Sequence, residues 1–296
     1  MKITIAGSLG NISKPLAQTL IKQGHQVIVI SSNPQKAEAI EALGAKAAIG
    51  SLTDVGFLTA SFSGADAVYS MTPPNMGSQN IIANAIAAGK ASAEAIKASG
   101  IKKLVMLSSI GADLPSGNGP IAGLHSVERI YEQMEGVDVT FIRPGYFYIN
   151  HLHDIPMVKA ANILGANIPG EMAFPYAHPK DIAAAIAEAL QTTEPGKTVK
   201  YVVSDLRTPN ETAAIFGAAI GKQGLPWVEF TDEQYKEGMV GAGVPEEIAG
   251  LYTEMGAGFR EGLIPKHFNS IGAPVTGKVK LEDFAKEFAV AFNEAN

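Results

Sequence analysis

Between Lys2 and Arg143 the chain keeps pairing a short, continuously apolar run with a helix-length amphipathic segment. Strands that do not alternate polar with apolar residues need cover on both faces, which a parallel sheet with helical crossovers provides. The runs Lys2–Ala6, Gln26–Ile30, Ala45–Ile49, Ala65–Met71, Lys103–Ser108 and Val137–Arg143 read as strands. Lys14–Lys22, Pro34–Leu43, Ser78–Ser99 and Leu124–Met134 read as helices, with Gly24, Gly44 and Gly100 ending the first three. Right-handed crossovers then leave a doubly wound α/β sheet. Past Asn150 the pattern loosens. Pro179–Leu190 is a clear helix and Lys197–Val203 a late strand suited to the sheet edge, but afterwards come helices and Gly/Pro-rich turns. Trp227, Phe259, Phe268 and Phe284–Phe292 make that region too apolar for a solvated linker. We therefore expect a nucleotide-binding domain over 1–150, completed by 173–203. A smaller, mostly helical substrate-side lobe is expected from 151–172 and 204–296.

Composition narrows the function. Lys and Arg total 23 against 29 Asp and Glu, a formal charge of −6, with no basic stripe of the kind that marks nucleic acid as a direct partner. Cysteine is absent, which excludes disulfides, thiol nucleophiles and Cys-based metal sites. No run approaches the roughly 20 apolar residues of a membrane span, and Met1–Gly7 is too short for a signal peptide, so a cytoplasmic location is expected. His151-Leu152-His153-Asp154 has the look of a metal cluster if extended, because a strand would put both histidines on one face. No third ligand has suitable spacing, so we expect no metal and read the segment as loop or pocket polarity.

The first strand runs into Gly7-Ser8-Leu9-Gly10-Asn11-Ile12-Ser13 and then a helix. In this setting the first glycine permits a tight turn, the second lets backbone approach a pyrophosphate, and the helix N-terminus offers unpaired N–H groups to the anion. Residues Gly7 to Ile12 are thus the candidate cradle of a Rossmann-type dinucleotide site. About 20 residues on, a carboxylate would accept the ribose hydroxyls of NAD. Here the second strand ends instead in Ser31-Ser32-Asn33-Pro34-Gln35-Lys36, with no acid from Gln26 to Gln35. Ser31, Ser32 and Asn33 can donate to a 2′-phosphate and Lys36 adds a charge, which favours NADP(H) over NAD(H). The plainer role of Ser32-Asn33, capping the turn ahead of Pro34, is compatible with this.

The chain resembles the NmrA-like group of atypical short-chain dehydrogenases/reductases. Gly7-x-x-Gly10, Asn33-Pro34-x-Lys36-Ala37, Ile49-Gly50-Ser51-Leu52-Thr53-Asp54, Val105-Met106-Leu107-Ser108-Ser109, Thr140 to Asn150, Pro179-Lys180-Asp181-Ile182-Ala183 and Leu281-Glu282-Asp283-Phe284 carry the resemblance. Ser51, where an Asp is common, and Ser13, in place of a third small glycine, depart from it. The resemblance implies an NAD(P)-binding Rossmann protein. Its activity would be reduction of quinones or enones, an epimerase-like or dehydratase reaction, or non-catalytic sensing of NADP(H) that regulates a protein partner.

The superfamily's usual proton donor is a Tyr-x-x-x-Lys pair. Counted back from Arg143-Pro144-Gly145, its places fall at Ile121 and His125, so the pair is not expected there. His125 is the candidate substitute, as proton donor or ribose contact, its plainer reading being a helix-surface histidine. Ser108, with Ser109, ends a strand where a substrate carbonyl would sit, or else caps a turn. Met71-Thr72-Pro73 follows the fourth strand and is a candidate cofactor contact. Gly145 would let backbone near the cofactor, and of the aromatics Tyr146, Phe147 and Tyr148 that follow, at least one should leave the core for nicotinamide or substrate. The favoured reading is an NADP(H)-dependent oxidoreductase that passes hydride to a small carbonyl- or quinone-like substrate near Ser108, His125 and Tyr146.

Overall fold

The computed structural model describes residues 1–73 and 80–295; Pro74 and the expected helix start at Ser78 lie outside the described residues. Its strands in chain order are β1 (Lys2–Ala6), β2 (Gln26–Ser31), β3 (Lys46–Ile49), β4 (Ala67–Ser70), β5 (Lys103–Leu107), β6 (Asp138–Pro144), β7 (Tyr146–Phe147), β8 (Leu164–Ala166), β9 (Phe174–Ala177), β10 (Lys197–Val202), β11 (Asp205–Arg207) and β12 (Trp227–Glu229). Seven of them form one sheet in the order β10-β6-β5-β4-β1-β2-β3. Pairing is parallel, as Ile3↔Val27, Ile3↔Ala67 and Leu104↔Val139 show. Strand β10 joins the edge in the same sense: Val139 N–H donates to the Gly196 carbonyl and Gly145 N–H to that of Val202. The order reverses direction beside β1, which makes the sheet doubly wound and Rossmann-like.

The chain divides into two compact units: Met1–Ala112 with Gly123–Arg143 and Ile182–Lys200, and Asp113–Ala122 with Pro144–Asp181 and Tyr201–Asn296. In the first, Ile30, Val68, Leu104, Met106, Val139 and Phe141 point to one side of the sheet. There they pack on Leu58 and Phe62 of helix Val55–Phe62, Ala91, Ala95 and Ile96 of helix Ile81–Ser99, and Val127 and Tyr131 of helix Ile121–Glu132. Residues between them on the strands face the opposite side. Helices Ser13–Lys22 and Pro179–Gln191 meet one another in this unit through Gln191, which donates to Gln23 at 3.0 Å and meets His25 at 2.9 Å.

Helix Ile81–Ser99 starts on the Asn80 side chain, which accepts the Ala83 N–H at 2.8 Å, and ends at Gly100 with φ +72°. Two local expectations change. Pro34–Leu43 is not one helix: Asn33 caps a 3-10 turn, Pro34–Lys36, which passes into helix Ala37–Ala42. Helix Val55–Phe62 was not expected, though Asp54 caps it by accepting the Phe57 N–H at 3.0 Å.

The second unit holds a three-stranded sheet, β11-β9-β7, and a two-stranded one, β12-β8, among helices. Phe216 stacks on Phe288 of the C-terminal helix Leu281–Glu294, ring centroids 4.4 Å apart, and Phe284 stacks on Tyr148 at 5.5 Å. One oxygen of Asp181 accepts from Ser204 Oγ at 2.7 Å and from the Lys278 and Val279 amides at 2.9 and 3.0 Å, fastening the segment that leads into that helix. Among the described residues no helix is long and apolar enough to cross a membrane.

Helices Ile81–Ser99 and Ile121–Glu132 approach closely at Gly89, where an added Cβ would lie 2.7 Å from Val127 Cγ2. Gly89→Ala is expected to destabilise the protein by about 1–3 kcal/mol through overpacking, even though alanine is favoured over glycine in a helix by about 1 kcal/mol. Adding Val127→Ala should recover part of that loss, and urea denaturation of the two variants measures both effects.

Candidate functional site

Strand β1 delivers the chain into a sharp turn in which Gly7 has φ +117° and Ser8 φ +55°. A Cβ on Gly7 would stand 2.7 Å from Ser13 Oγ and 3.1 Å from Met71 Cγ, so conformation and space both require glycine. Gly10 differs: a Cβ there would meet only the Gly7 carbonyl oxygen, at 3.3 Å. Gly10 and Asn11 are exposed, Leu9 is half-buried and Ile12 is buried. The loop is pinned by the Ser8 N–H on the Ile30 carbonyl at 2.8 Å. Among the described residues no side chain caps helix Ser13–Lys22 and no acid lies in its first turn, so neither a cap nor a first-turn carboxylate answers its positive end.

At the tip of β2, Ser31 is buried with its hydroxyl in use. It accepts from Ser8 Oγ at 2.9 Å and from the Asn33 amide at 3.1 Å, and donates to the Asn33 carbonyl at 3.3 Å. Here Ser31 fastens the two loops to one another. Ser32, Asn33 and Lys36 are exposed. Asn33 Oδ1 accepts the Gln35 N–H at 2.9 Å, which leaves the amide nitrogen and the Lys36 ammonium as surface donors. After β4, Met71 borders Gly7 and Pro73 is exposed. Thr72 Oγ1 is buried with no hydrogen-bond partner among the described residues. An exposed Gly10, a helix end without a side-chain cap and an orphaned hydroxyl after the neighbouring strand suit a phosphate-bearing ligand.

Ser108, at the end of β5, belongs to a buried polar cluster. Arg143 grips Glu128 through Nε on Oε1 at 3.0 Å and Nη2 on Oε2 at 2.5 Å, and Ser108 Oγ donates to Glu128 Oε1 at 2.5 Å. Glu128 is 0% and Arg143 4% exposed. Glu128 was not singled out in the sequence, where it reads as one more charge on an amphipathic helix. Half-buried His125 sits three residues before it, with Nδ1 2.8 Å from the Ala112 carbonyl. A carbonyl only accepts, so Nδ1 carries the proton and Nε2 of the neutral ring is an acceptor.

In the second unit, what comes close to Gly145 is β9: a Cβ would lie 2.5 Å from the Pro175 carbonyl oxygen. Of the three aromatics that follow, Tyr148 is fully buried, while Tyr146 and Phe147 are only partly so. Tyr146 meets His151 and Phe174 edge-on, both at 5.5 Å between centroids. The segment Tyr148–Asp154 is a 3-10 helix rather than a strand, so the two histidines part: His151 is buried and His153 exposed. The chain's one Tyr-x-x-x-Lys spacing, Tyr176-Ala177-His178-Pro179-Lys180, passed unnoticed in the sequence. It straddles the end of β9 and a helix start. The Tyr176 hydroxyl lies 3.3 Å from Thr212 in the core, where burial pushes its pKa up, and Lys180, 64% exposed, pairs with Glu287 at 3.1 Å. A lysine turned outward cannot lower that phenol's pKa.

A strand, glycine turn and helix at the head of a doubly wound parallel sheet define a Rossmann-type nucleotide-binding fold. The chain belongs to the NmrA-like family, whose model matches residues 1–263. It is 28% identical to the NAD(P)H azoreductase of Xenophilus azovorans over 300 residues, covering 99% of this chain and all of that one. It is 24% identical to quinone oxidoreductase 2 of Escherichia coli, covering 88% of each. The crystal structure of the NADPH-dependent quinone oxidoreductase of E. coli complexed with NADPH matches with TM-score 0.80 at 20% identity, over 96% of this chain and 99% of that one. The triphenylmethane reductase of Citrobacter sp. matches at 0.79 and 18%, over 98% and 100%.

The Glu128–Arg143 pair has a measurable signature. Arg143→Leu strands a fully buried carboxylate and should cost about 3–5 kcal/mol in urea unfolding. Arg143→Leu combined with Glu128→Leu should recover most of it, since an apolar pair carries no uncompensated charge.

Proposed function

We propose that this protein is an NADP(H)-dependent oxidoreductase that reduces a small carbonyl- or quinone-like compound. The observation that carries the reading is the Gly7–Ile12 turn: it stands at a helix end with no side-chain cap and is exposed at Gly10, in an NmrA-like chain whose relatives include NAD(P)H-dependent reductases. In this reading the amides after Gly10 hold the pyrophosphate. Thr72 Oγ1, without a partner among the described residues, contacts the cofactor alongside Met71 and Pro73. Ser32, the Asn33 amide nitrogen and Lys36 receive the 2′-phosphate, while Ser31 supports them from beneath. Bound NADPH supplies a hydride, and the protein's task is to place the acceptor and provide a proton.

His125 is the candidate donor, with Tyr146 and Phe147 as aromatic contacts for nicotinamide or substrate. Its Nδ1–H is committed to Ala112, so Nε2 delivers a proton from the imidazolium form and takes one back from water. Ser108 gives its own proton to Glu128, so it meets a substrate through oxygen lone pairs unless the hydroxyl rotates.

The direct experiment mixes purified protein, NADPH and a panel of quinones and follows loss of nicotinamide absorbance. Turnover supports the proposal; tight NADPH binding with no turnover on any acceptor would instead support the sensor. His125→Ala should then lower kcat by about a hundredfold, the scale of general acid catalysis, with NADPH affinity retained.

Cofactor contacts separate by calorimetry. Gly10→Val should abolish measurable NADPH binding while lowering Tm only modestly, because the one protein atom an added Cβ meets is the Gly7 carbonyl oxygen at 3.3 Å and the rest of the side chain points from an exposed position. Lys36→Glu should weaken NADPH by about tenfold or more, the worth of one charge-assisted contact, and NADH far less. Equal losses would remove the proposed NADP preference.

A further inference from the structure

The chain enters helix Pro179–Gln191 through His178, which is 2% exposed and caps the helix with its ring. The Lys180 N–H donates to His178 Nδ1 at 3.0 Å. An amide N–H only donates, so Nδ1 holds a lone pair and the ring is neutral, with its proton on Nε2. Nε2 is buried and has no hydrogen-bond partner among the described residues. It faces the C-terminal helix, whose Glu287 Oε1 stands 3.7 Å away, beyond hydrogen-bond reach.

The same turn carries the fastening of the chain's end. The His178 N–H donates to Ser204 Oγ at 2.9 Å, and the Asp181 N–H to the His178 carbonyl at 3.0 Å. Ser204 and the Lys278 and Val279 amides all donate to one oxygen of Asp181. The His178 ring also lies edge-on to Tyr148 and Phe284, 6.0 and 6.2 Å between centroids, within the aromatic stack that seats the C-terminal helix.

A second proton on this ring can go only to Nδ1, where it would meet the Lys180 N–H head-on. Two donors cannot share that contact, so protonation removes the cap. Around the ring, Glu287 and Asp283 on the C-terminal helix and Asp181 on its own helix favour the imidazolium, and the Lys180 ammonium opposes it. Burial keeps the Tyr148 phenol protonated, and on the Ser204 segment Asp205 is paired with Arg207 while Lys280 donates to the Ser204 carbonyl. Burial is the largest influence on His178 and holds its imidazole below the usual histidine range. A base that is harder to protonate in the folded than in the unfolded chain stabilises the fold above the ordinary histidine pKa of about 6.5. That contribution is lost as pH falls from there toward the folded value.

We propose that His178 is a pH-sensitive latch: its neutral imidazole closes the turn whose Asp181 holds Lys278 and Val279, and protonation at Nδ1 opens that turn and loosens the C-terminal helix. The latch is independent of the oxidoreductase reading, since it involves no cofactor or substrate.

The test is amide hydrogen exchange followed by NMR on the full-length protein, stepped from about pH 7.5 to about pH 4.5 to span the histidine range and below. Protection of the Lys180, Lys278 and Val279 amides, corrected for the intrinsic pH dependence of exchange, is expected to fall about fivefold, the worth of a helix cap. Protection of the Ile5 and Val105 amides inside the large sheet should hold. The fall should track the titration of the His178 ring, read from its own 15N resonances, which at the upper pH should report the proton on Nε2. His178→Asn supplies a capping oxygen that does not titrate, and its protection at the three amides should stay level over the same range. Unchanged protection in wild type, a fall shared equally by the sheet amides, or one that does not follow the His178 resonances overturns the latch. So does a proton found on Nδ1 at neutral pH, or the same fall in His178→Asn.

Discussion

A parallel sheet that is apolar on both faces cannot exist uncovered, and the first unit follows from meeting that need twice over. Val27 to Ile30 in β2 and Ala67 to Tyr69 in β4 are buried along consecutive residues, so each strand demands a layer above and a layer below. The crossovers that supply those layers bring every strand of the sheet back in the same direction. Their carboxyl ends then gather the Gly7 turn, the Ser31 tip and the Met71-Thr72 step along one edge. The dinucleotide-type architecture is thus a consequence of hydrophobic pattern plus connection handedness, and the glycine loop exploits an edge that packing had already made.

What was legible in the sequence divides along physical lines. Long apolar periodicities and helix-ending glycines are local signals, and the strands of the sheet and helix Ile81–Ser99 could be read from them. Helix Val55–Phe62 escaped because it is short and apolar nearly throughout, so no polar stripe announces a period; only the Asp54 cap marks its start. The Pro34 segment was over-read as one helix because Asn33 followed by proline signals a start without saying which kind of turn follows. Partnerships across distance were the least visible. Nothing in the order of residues says that Glu128 meets Arg143, that Ser31 supports Ser8, or that β9 leaves no room for a side chain at Gly145.

The polar groups separate into those already spent and those held in reserve. Ser31, Ser108, Nδ1 of His125 and Nδ1 of His151 are committed to internal partners that fix their orientation. Thr72 Oγ1 and His151 Nε2 are buried without a hydrogen-bond partner among the described residues. Commitment on one atom is what aims the other: an imidazole anchored at Nδ1 presents Nε2 in a known direction and a known tautomer. This gives the two histidines the same internal logic even though their partners differ, a backbone carbonyl for one and a carboxylate for the other.

The Asp181 fastening bears on where this chain can be cut. The family match ends at residue 263, yet the amides that Asp181 holds belong to Lys278 and Val279, and Phe284 and Phe288 beyond them complete the packing around Tyr148 and Phe216. A fragment trimmed at that boundary would strip two donors from a carboxylate and open a hole against an aromatic core. The recognisable motif region is therefore shorter than the smallest piece that closes on itself, and the last thirty or so residues act as the unit's outer wall.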